Sequence, residues 1–579
     1  LWKMERRDEA FAAVLRAVRL DPDYGWGWDT MADWARLLDR EKEAIQEGER
    51  LVESMPMRWI SWQRLALLHG RFDRFEERIA TFDRGIEKLP LSADLRQQKA
   101  WALCNAGRYD LALAECSEAH WPEGQRPRVL AGREAWIENE IGRREVAIEK
   151  MKAVAEHHPD YYWAHEQLAE WYQVDEQWGD ALKHARHLVR LAPTEPTSHG
   201  MLADLYQKKG DKKRARREFE AAYQIDANYF FAGYHLARLH VESGAFDEAE
   251  AVLNSLEFHH SHSPNTVELR CRLECGRKDA RKAEEAFAFL CRMPDVAEAL
   301  LERVELDLIE AGLKKRILPI YEQALESGEV ESSAVGRRWA VREVTRRSTT
   351  RPIEKFLSQT QLSDEVAEGC WQALLYELEE KKRFSQAKSL IRRNAESFSA
   401  NVNLWGSVGY VLRTAKKFRE VEKWMADYRD REGVMPWMLI NLGFAKLQVG
   451  GIDAAGPVHQ FAATELPEDH DTWCHHAAAA YFEASRGIPS AARAHLAKAE
   501  MAELASIYEA IQALAEFMAT LREEEKADGE LFRKAVTALP DWAQSKSARI
   551  YFFDCIRRAR SDLYFRSGAG RFAFFEWLK

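Results

Sequence analysis

Large apolar and small residues recur along most of this chain at spacings of three, four and seven, which set side chains on one face of an α-helix. His199, Leu202, Ala203 and Tyr206 form one such run, and Ala215, Phe219 and Ala222 form the next after a polar turn. His165, Leu168, Ala169 and Tyr172, followed by Ala181 and Ala185, carry the same arrangement earlier in the chain. Later runs read Trp405, Val408, Gly409 and Leu412, then Leu439, Leu442 and Gly443. The pattern predicts helices in pairs, with the small residues placed where two axes cross too closely for a larger side chain.

The pairs repeat with a fixed period. Pro22, Pro56 and Pro90 stand 34 residues apart, as do Pro159 and Pro193. Trp28 and Trp62 keep that interval, as do Trp371 and Trp405, and Trp473 follows at twice the interval. Proline has no amide hydrogen and clashes with the preceding turn, so each is expected to close the second helix of its pair. Such self-similarity is the signature of a repeat array rather than of a single compact core.

This grammar resembles that of the tetratricopeptide repeat. The resemblance implies an all-α fold, a right-handed superhelical α-solenoid of tandem helical hairpins with C-terminal capping helices. Seven or eight copies fall between Asp21 and Pro294 and four or five between Val366 and about Glu500. The copies from Asp160 to Ser261 are the most regular, whereas those around Arg96 and Ala131 carry Lys99 and Glu134 where leucine is expected. The expected organisation is an N-terminal array over 1–293, an irregular helical connector over 294–365, a second array over 366–500 and capping helices over 501–579. In that cap, Tyr551, Phe552, Phe553, Tyr564, Phe565, Phe572, Phe574, Phe575 and Trp577 would cover the open end of the stack.

Composition agrees with helices and narrows the partners. Only 30 glycines and 17 prolines occur in 579 residues, which disfavours a large antiparallel β protein. Mean hydropathy is −0.49 and no run approaches a membrane-spanning helix. The formal charge of −10 argues against sequence-blind binding to nucleic acid or to an anionic bilayer. Local exceptions are the basic run from Lys314 to Arg351 and the cluster from Lys208 to Arg217, where RNA binding would be steeply salt-dependent. Eight cysteines without CxxC pairs suggest neither a disulfide framework nor a zinc ribbon, so a reducing, cytoplasmic compartment is expected. The chain opens LWKMERRDEAF, without an initiator methionine and already helical in pattern, which implies that an upstream segment has been removed.

Catalytic and cofactor motifs are missing: there is no GxxxxGK[ST], GxGxxG, GxSxG or HExxH. His165-Glu166 begins like a zincin motif, but Ala169 stands where the second histidine must be. His470, Cys474, His475 and His476, with Glu468, Asp469 and Asp471, form the densest set of metal-ligand types. They read as the entry turn of a repeat helix, with acids near its positive end. The His259–His262 run, the His184 and His187 pair and the Cys271 and Cys275 pair read in the same way as loop, surface or core residues. No catalytic residue, metal site or cofactor is therefore expected.

The resemblance also implies where a ligand would bind, because groove residues of this family lie mainly on the first helix of each repeat, away from the anchor. In the first array these positions are Trp26, Asp29, Asp33, Trp163, Glu166, Glu170, Asp204, Phe231, Tyr234 and Arg238. In the second they are Tyr376, Asn403, Tyr410, Trp437 and Phe444. Family members that grip a C-terminal carboxylate use Lys and Asn at sites held here by Asp29, Asp33, Glu166 and Glu170, which argues against such a clamp. Carboxylates beside aromatic rings suit a Lys- or Arg-bearing segment instead. The expected function is a protein-protein interaction scaffold that holds a protein or peptide partner with basic and aromatic segments in its concave groove, without catalysis of its own. The alternative is a substrate-docking or regulatory part of a larger enzyme, such as a peptidase or transferase, with its catalytic domain upstream.

Overall fold

The computed structural model describes residues 1–260, 263–469, 471–499, 506–524, 550–555 and 557–558. Among them are α-helices, two short 3-10 turns and no strand. Two compact units divide the chain, Leu1–Ser243 and Gly244–Lys579.

The first unit runs α1 (Arg7–Leu20), α2 (Gly25–Leu37), α3 (Glu41–Ser54), α4 (Trp59–Arg71) and α5 (Phe75–Lys88). It continues with α6 (Ala93–Asn105), α7 (Tyr109–Glu115), α8 (Arg128–Glu140), α9 (Arg144–His157) and α10 (Tyr162–Val174). It ends with α11 (Trp178–Leu191), α12 (Pro196–Lys208), α13 (Lys212–Ile225) and α14 (Phe230–Ser243). From α2 to α13, each even-numbered helix is the first of a hairpin, and each second helix also packs on the first helix that follows it.

The periodic prolines do two things. α1, α3, α5, α9 and α11 end at Leu20, Ser54, Lys88, His157 and Leu191, each two residues before its proline. The intervening residue is extended, with φ from −129° to −136°, because the proline ring excludes the helical conformation there. The proline carbonyl then accepts a hydrogen bond from the anchor side chain six residues on. Trp28 Nε1 donates to Pro22 O at 3.0 Å, Trp62 Nε1 to Pro56 O at 2.9 Å and Arg96 Nε to Pro90 O at 3.4 Å. His165 Nε2 donates to Pro159 O at 3.1 Å and His199 Nε2 to Pro193 O at 3.2 Å. Indole, guanidinium and imidazole interchange at the anchor because each offers an N–H on a flat, partly apolar body. Several anchors also bond the second helix 19 residues on: Arg96 to Glu115 at 2.9 Å, His165 to His184 at 2.9 Å and His199 to Glu218 at 2.9 Å.

Sixteen residues after each anchor lies the close helix crossing. Ala44, Ala112, Ala147, Ala181 and Ala215 occupy it and are fully buried. The irregular copies fold as hairpins too, with ion pairs replacing the leucine contact. Lys99 on α6 meets Glu115 on α7 at 2.6 Å, and Glu134 on α8 meets Lys150 on α9 at 2.6 Å.

The second unit runs α15 (Phe246–His259), α16 (Pro264–Arg277), α17 (Ala280–Leu290), α18 (Glu298–Glu310), α19 (Lys314–Ser327) and α20 (Ser333–Arg346). Next come α21 (Arg351–Gln359), α22 (Asp364–Glu380), α23 (Phe384–Arg393), α24 (Ala395–Ala400), α25 (Val402–Thr414) and α26 (Phe418–Trp424). α27 (Pro436–Gly450), α28 (Ile452–Glu465), α29 (Thr472–Ser485), α30 (Pro489–Ala499) and α31 (Ser506–Glu524) follow. The anchor rule holds here as well. Trp405 Nε1 donates to Trp424 O at 3.2 Å and Trp424 Nε1 returns a bond to Trp405 O at 2.9 Å.

Trp473 keeps the tryptophan spacing but does not take the anchor slot. That slot belongs to His476, which bonds His495 at 2.8 Å, 19 residues on, and has Ala492 at the crossing 16 residues on. Extra residues between the two hairpins move the register by nearly one helical turn.

Much of the basic run is neutralised inside the fold. Arg337 and Arg338 on α20 pair with Glu298 and Glu302 on α18, and Arg338 reaches Glu305 at 2.6 Å, where Arg342 also binds. Burial opposes the charge of Glu305, but the two guanidiniums and the Tyr321 hydroxyl overcome it and hold its carboxyl below the usual range. Arg346 and Arg347 pair with Glu343. In the other cluster, Lys208 pairs with Asp204 at 2.8 Å and Lys212 with Glu242 at 2.7 Å.

α29 is buried on nearly every side because α28, α30 and α31 all pack on it. Residues 550–555 cover it as well: Tyr551 meets Tyr481 edge-on at 5.1 Å, and the Tyr481 hydroxyl donates to Asp554 at 3.1 Å. Ser261, His262, His470, Tyr564, Phe565, Phe572, Phe574, Phe575 and Trp577 lie outside the described residues. No helix among the described residues is long and apolar enough to cross a membrane.

Candidate partner-binding site

The first helices α2, α4, α6, α8, α10, α12 and α14 place repeat-equivalent residues on one face of the first unit. Trp26 is 63% exposed there and tilts against Tyr24 at 5.8 Å. Asp29 and Asp33, one turn apart on α2, both face Arg71 of α4, at 3.1 and 3.6 Å. Asp204 is held by Lys208, and Arg238 lies 3.8 Å from Glu242. Phe231 packs on Phe219 and Tyr229, and Tyr234 stacks on Phe230, so these rings brace the packing of α14 on α13 of the preceding hairpin.

Glu166 and Glu170 stand apart. They lie one turn from each other on α10, and among the described residues neither has a basic partner; Glu170 accepts one hydrogen bond, from Gln167 at 3.1 Å. Burial raises both carboxyl groups above the usual range, and the charge of Glu170 raises Glu166 further. Trp163, one turn before Glu166, lies against Gly132, where a Cβ would come within 2.9 Å of its ring. Among the described residues the cation at that ring is Arg133, 5.1 Å from its centre and 4.9 Å from that of Trp136. Spacing from the anchors did not single out Arg133, Arg71 or Arg78. For Arg78 a signal was available, since it occupies the crossing slot that alanine fills in the neighbouring repeats.

In the second unit an aromatic strip joins three of the expected residues. Tyr376 meets Tyr410 edge-on at 5.5 Å, and the Arg413 guanidinium lies 5.3 Å from Tyr410 and 5.5 Å from Phe444. Asn403 donates to Glu368 at 3.0 Å, and Trp437 packs near Gly406 while its amide donates to Asp469 at 3.3 Å. These last two are committed to the fold.

The histidines are also structural. His459 and His475 face each other through their Nδ1 atoms at 2.9 Å, and His475 Nε2 donates to Pro436 O at 2.9 Å. The carbonyl can only accept, so His475 Nδ1 accepts from His459 Nδ1–H. By the same reasoning His165, whose Nε2–H serves Pro159, accepts from His184, while His187 donates to that same carbonyl at 2.8 Å. Cys271 and Cys275 are buried in the core. No group of three His, Cys, Asp or Glu among the described residues is arranged to hold a metal ion.

Residues 206–265, which include α13 with its crossing alanine Ala215, match the sequence profile of the tetratricopeptide repeat. The chain carries tetratricopeptide repeats. No curated protein matches it. Among solved structures it is similar to the C-terminal part of a TPR repeat-containing protein from Cytophaga hutchinsonii, at 14% identity, 42% coverage of this chain, 98% of that one and a TM-score of 0.34. It is similar to PilF of Pseudomonas aeruginosa at 17% identity over 38% and 97% of the two chains, with a TM-score of 0.29. With a chain of the APC/C hetero-tetramer Cut9–Hcn1 it shares 14% identity over 91% and 99%, with a TM-score of 0.29. Tetratricopeptide repeats generally mediate protein–protein interaction.

Proposed function

We propose that the chain is an interaction scaffold without catalysis of its own, and that the first-helix face of its first unit holds a segment of a partner protein. The observation that carries this reading is the pair Glu166 and Glu170, two carboxylates one turn apart on α10, the first partly buried and the second exposed, with no basic partner among the described residues. Two neighbouring acids without a counter-ion are an unfavourable arrangement that a Lys or Arg side chain relieves, through charge-assisted hydrogen bonds and contact with the indole face. The other acids of this face, Asp29, Asp33 and Asp204, already have basic partners and add less.

Co-purification of the wild-type chain and of the double variant E166Q/E170Q, compared by quantitative mass spectrometry, tests the proposal. The expected outcome is a protein recovered by the wild type and depleted about tenfold or more on the variant, at equal thermal stability of the two. An identical set of recovered proteins would refute it.

A further inference from the structure

Among the described residues Arg133 has no acidic partner. Its Nε is buried without an acceptor, and its Nη1 and Nη2 reach solvent with no acceptor among the described residues. Burial lowers its pKa, and the titratable groups nearest to it are the Cys116 and Cys104 thiols and the Tyr161 hydroxyl, which are neutral, rather than carboxylates. Glu140, farther along α8, takes a 3.4 Å hydrogen bond from Asn139, and its charge is felt at Cys104 instead. The guanidinium is therefore fixed between two indole rings with its hydrogen-bonding edge open.

Arg78 has a related arrangement two hairpins earlier, against a single indole ring. It starts from the crossing slot on α5 and passes Gly70, where a Cβ would lie 3.1 Å from its Nη1, to reach a position 5.5 Å from the Trp101 ring. A side chain at this position would crowd that route and make Arg78 shift. Its Nε is likewise buried without an acceptor. Trp101 is 38% exposed and lies one turn from Cys104, whose thiol feels the charge of Arg133. Among the described residues Arg78 on α5 and Arg133 on α8 thus have no anion and Glu166 and Glu170 on α10 have no cation, and Arg133 lies against Trp163, one turn before Glu166.

We propose that Arg133 is a binding site for the carboxylate of an Asp or Glu in the partner segment, and that this acid precedes or follows the base held by Glu166 and Glu170. A guanidinium presents two parallel N–H groups to a carboxylate, and one already clamped by flanking rings loses little rotamer freedom on binding. Arg133 lies 5.1 Å from the centre of the Trp163 ring and Glu166 follows Trp163 by one turn of α10, so the probe peptides set acid and base three residues apart, on the order of 10 Å of extended chain. Their order along the segment sets the direction in which it lies. This inference rests on the scaffold reading and adds a second, opposite charge to what the face recognises.

Fluorescein-labelled twelve-residue peptides of one composition test it by anisotropy. One carries Glu-Glu three residues before Lys-Lys, a second carries the blocks in reverse order, and two controls replace either the Glu or the Lys block by Gln. One of the two orders is expected to bind the wild-type chain, and its Glu-to-Gln control about tenfold more weakly. On R133Q that difference shrinks to less than twofold, while the penalty for the Lys-to-Gln control persists; on E166Q/E170Q the reverse holds. If R133Q does not fold, R133K, which keeps the charge and loses the two-pronged geometry, is expected to lose part of the Glu preference. A Glu preference undiminished by either variant, or none in the wild type, overturns the inference. A Lys preference without a Glu preference leaves the scaffold reading standing alone, and no binding by either order overturns both.

Discussion

Lowering the pH from 7.5 to 5.5 is expected to loosen both units through their buried histidines. Burial pulls His184 and His235 in the first unit, and His475 and His476 in the second, down to about 4. Neighbouring imidazoles add to the effect at His184 and His476, and Lys183 and Lys498 push in the same direction. In the unfolded chain an imidazole titrates near 6.5. Between those two values the unfolded state holds a proton that the folded state lacks, so stability rises with pH across the window and levels off above about 7.5 and below about 4. At pH 5.5 one such ring costs about 1.3 kcal/mol relative to pH 7.5. Discounted for the water that reaches His184 at the surface of its hairpin, two rings amount to about 2 kcal/mol per unit. The cost is electrostatic: a second proton on a pair joined through Nδ1 removes its hydrogen bond and leaves two like charges in contact. Amide hydrogen exchange resolved on α11 and α29 reads each unit separately, which suits a repeat protein whose parts need not unfold together. Protection should fall between pH 7.5 and 5.5 after correction for intrinsic exchange, and H184Q or H475Q should flatten the fall in its own unit alone. Protection that stays level or increases as the pH drops would refute the reasoning.

Ala215 is fully buried at the α12–α13 crossing, so Ala215→Trp is expected to cost about 3 kcal/mol or more through overpacking, whereas Lys213→Ala on the exposed side should stay within about 0.5 kcal/mol. Equal shifts in urea midpoint would show that the repeat register is wrong. Glu115 holds both Arg96 and Lys99, so Glu115→Leu strands the largely buried Arg96, leaves Lys99 with Asp83 alone and is expected to cost about 3 kcal/mol. Lys99→Leu leaves Glu115 with Arg96 and restores the leucine usual at that slot, so it should cost under about 1 kcal/mol in the same assay.

The hairpins were legible before any coordinates because what makes them is local in the chain. A proline ends one helix, its carbonyl takes the anchor six residues on, and a small residue 16 beyond the anchor lets two axes cross. Every step spans less than one period, so spacing alone reveals it. The irregular copies at Lys99 and Glu134 were harder to read, because an ion pair across the hairpin does the work of leucine and leaves no apolar trace. Trp473 misled by matching the period, while the crossing alanine and the bonded histidine belong to His476.

The binding face was legible only as a set of positions. Its charge state depends on which side chains of neighbouring hairpins reach one another, and that is settled over a few ångströms in space rather than by separation in the chain. Arg71 reaches Asp29 and Asp33 from the next repeat and quiets them, while nothing basic among the described residues reaches Glu166 and Glu170. Arg78 arrives from the second helix through a gap left by Gly70, and Arg133 comes to rest between two tryptophans instead of on an acid. The sequence by itself determined the helical repeat, because backbone and crossing constraints act within one period. Only the tertiary structure decided which charges remain unanswered, because pairing depends on side-chain reach between hairpins that the period treats as equivalent.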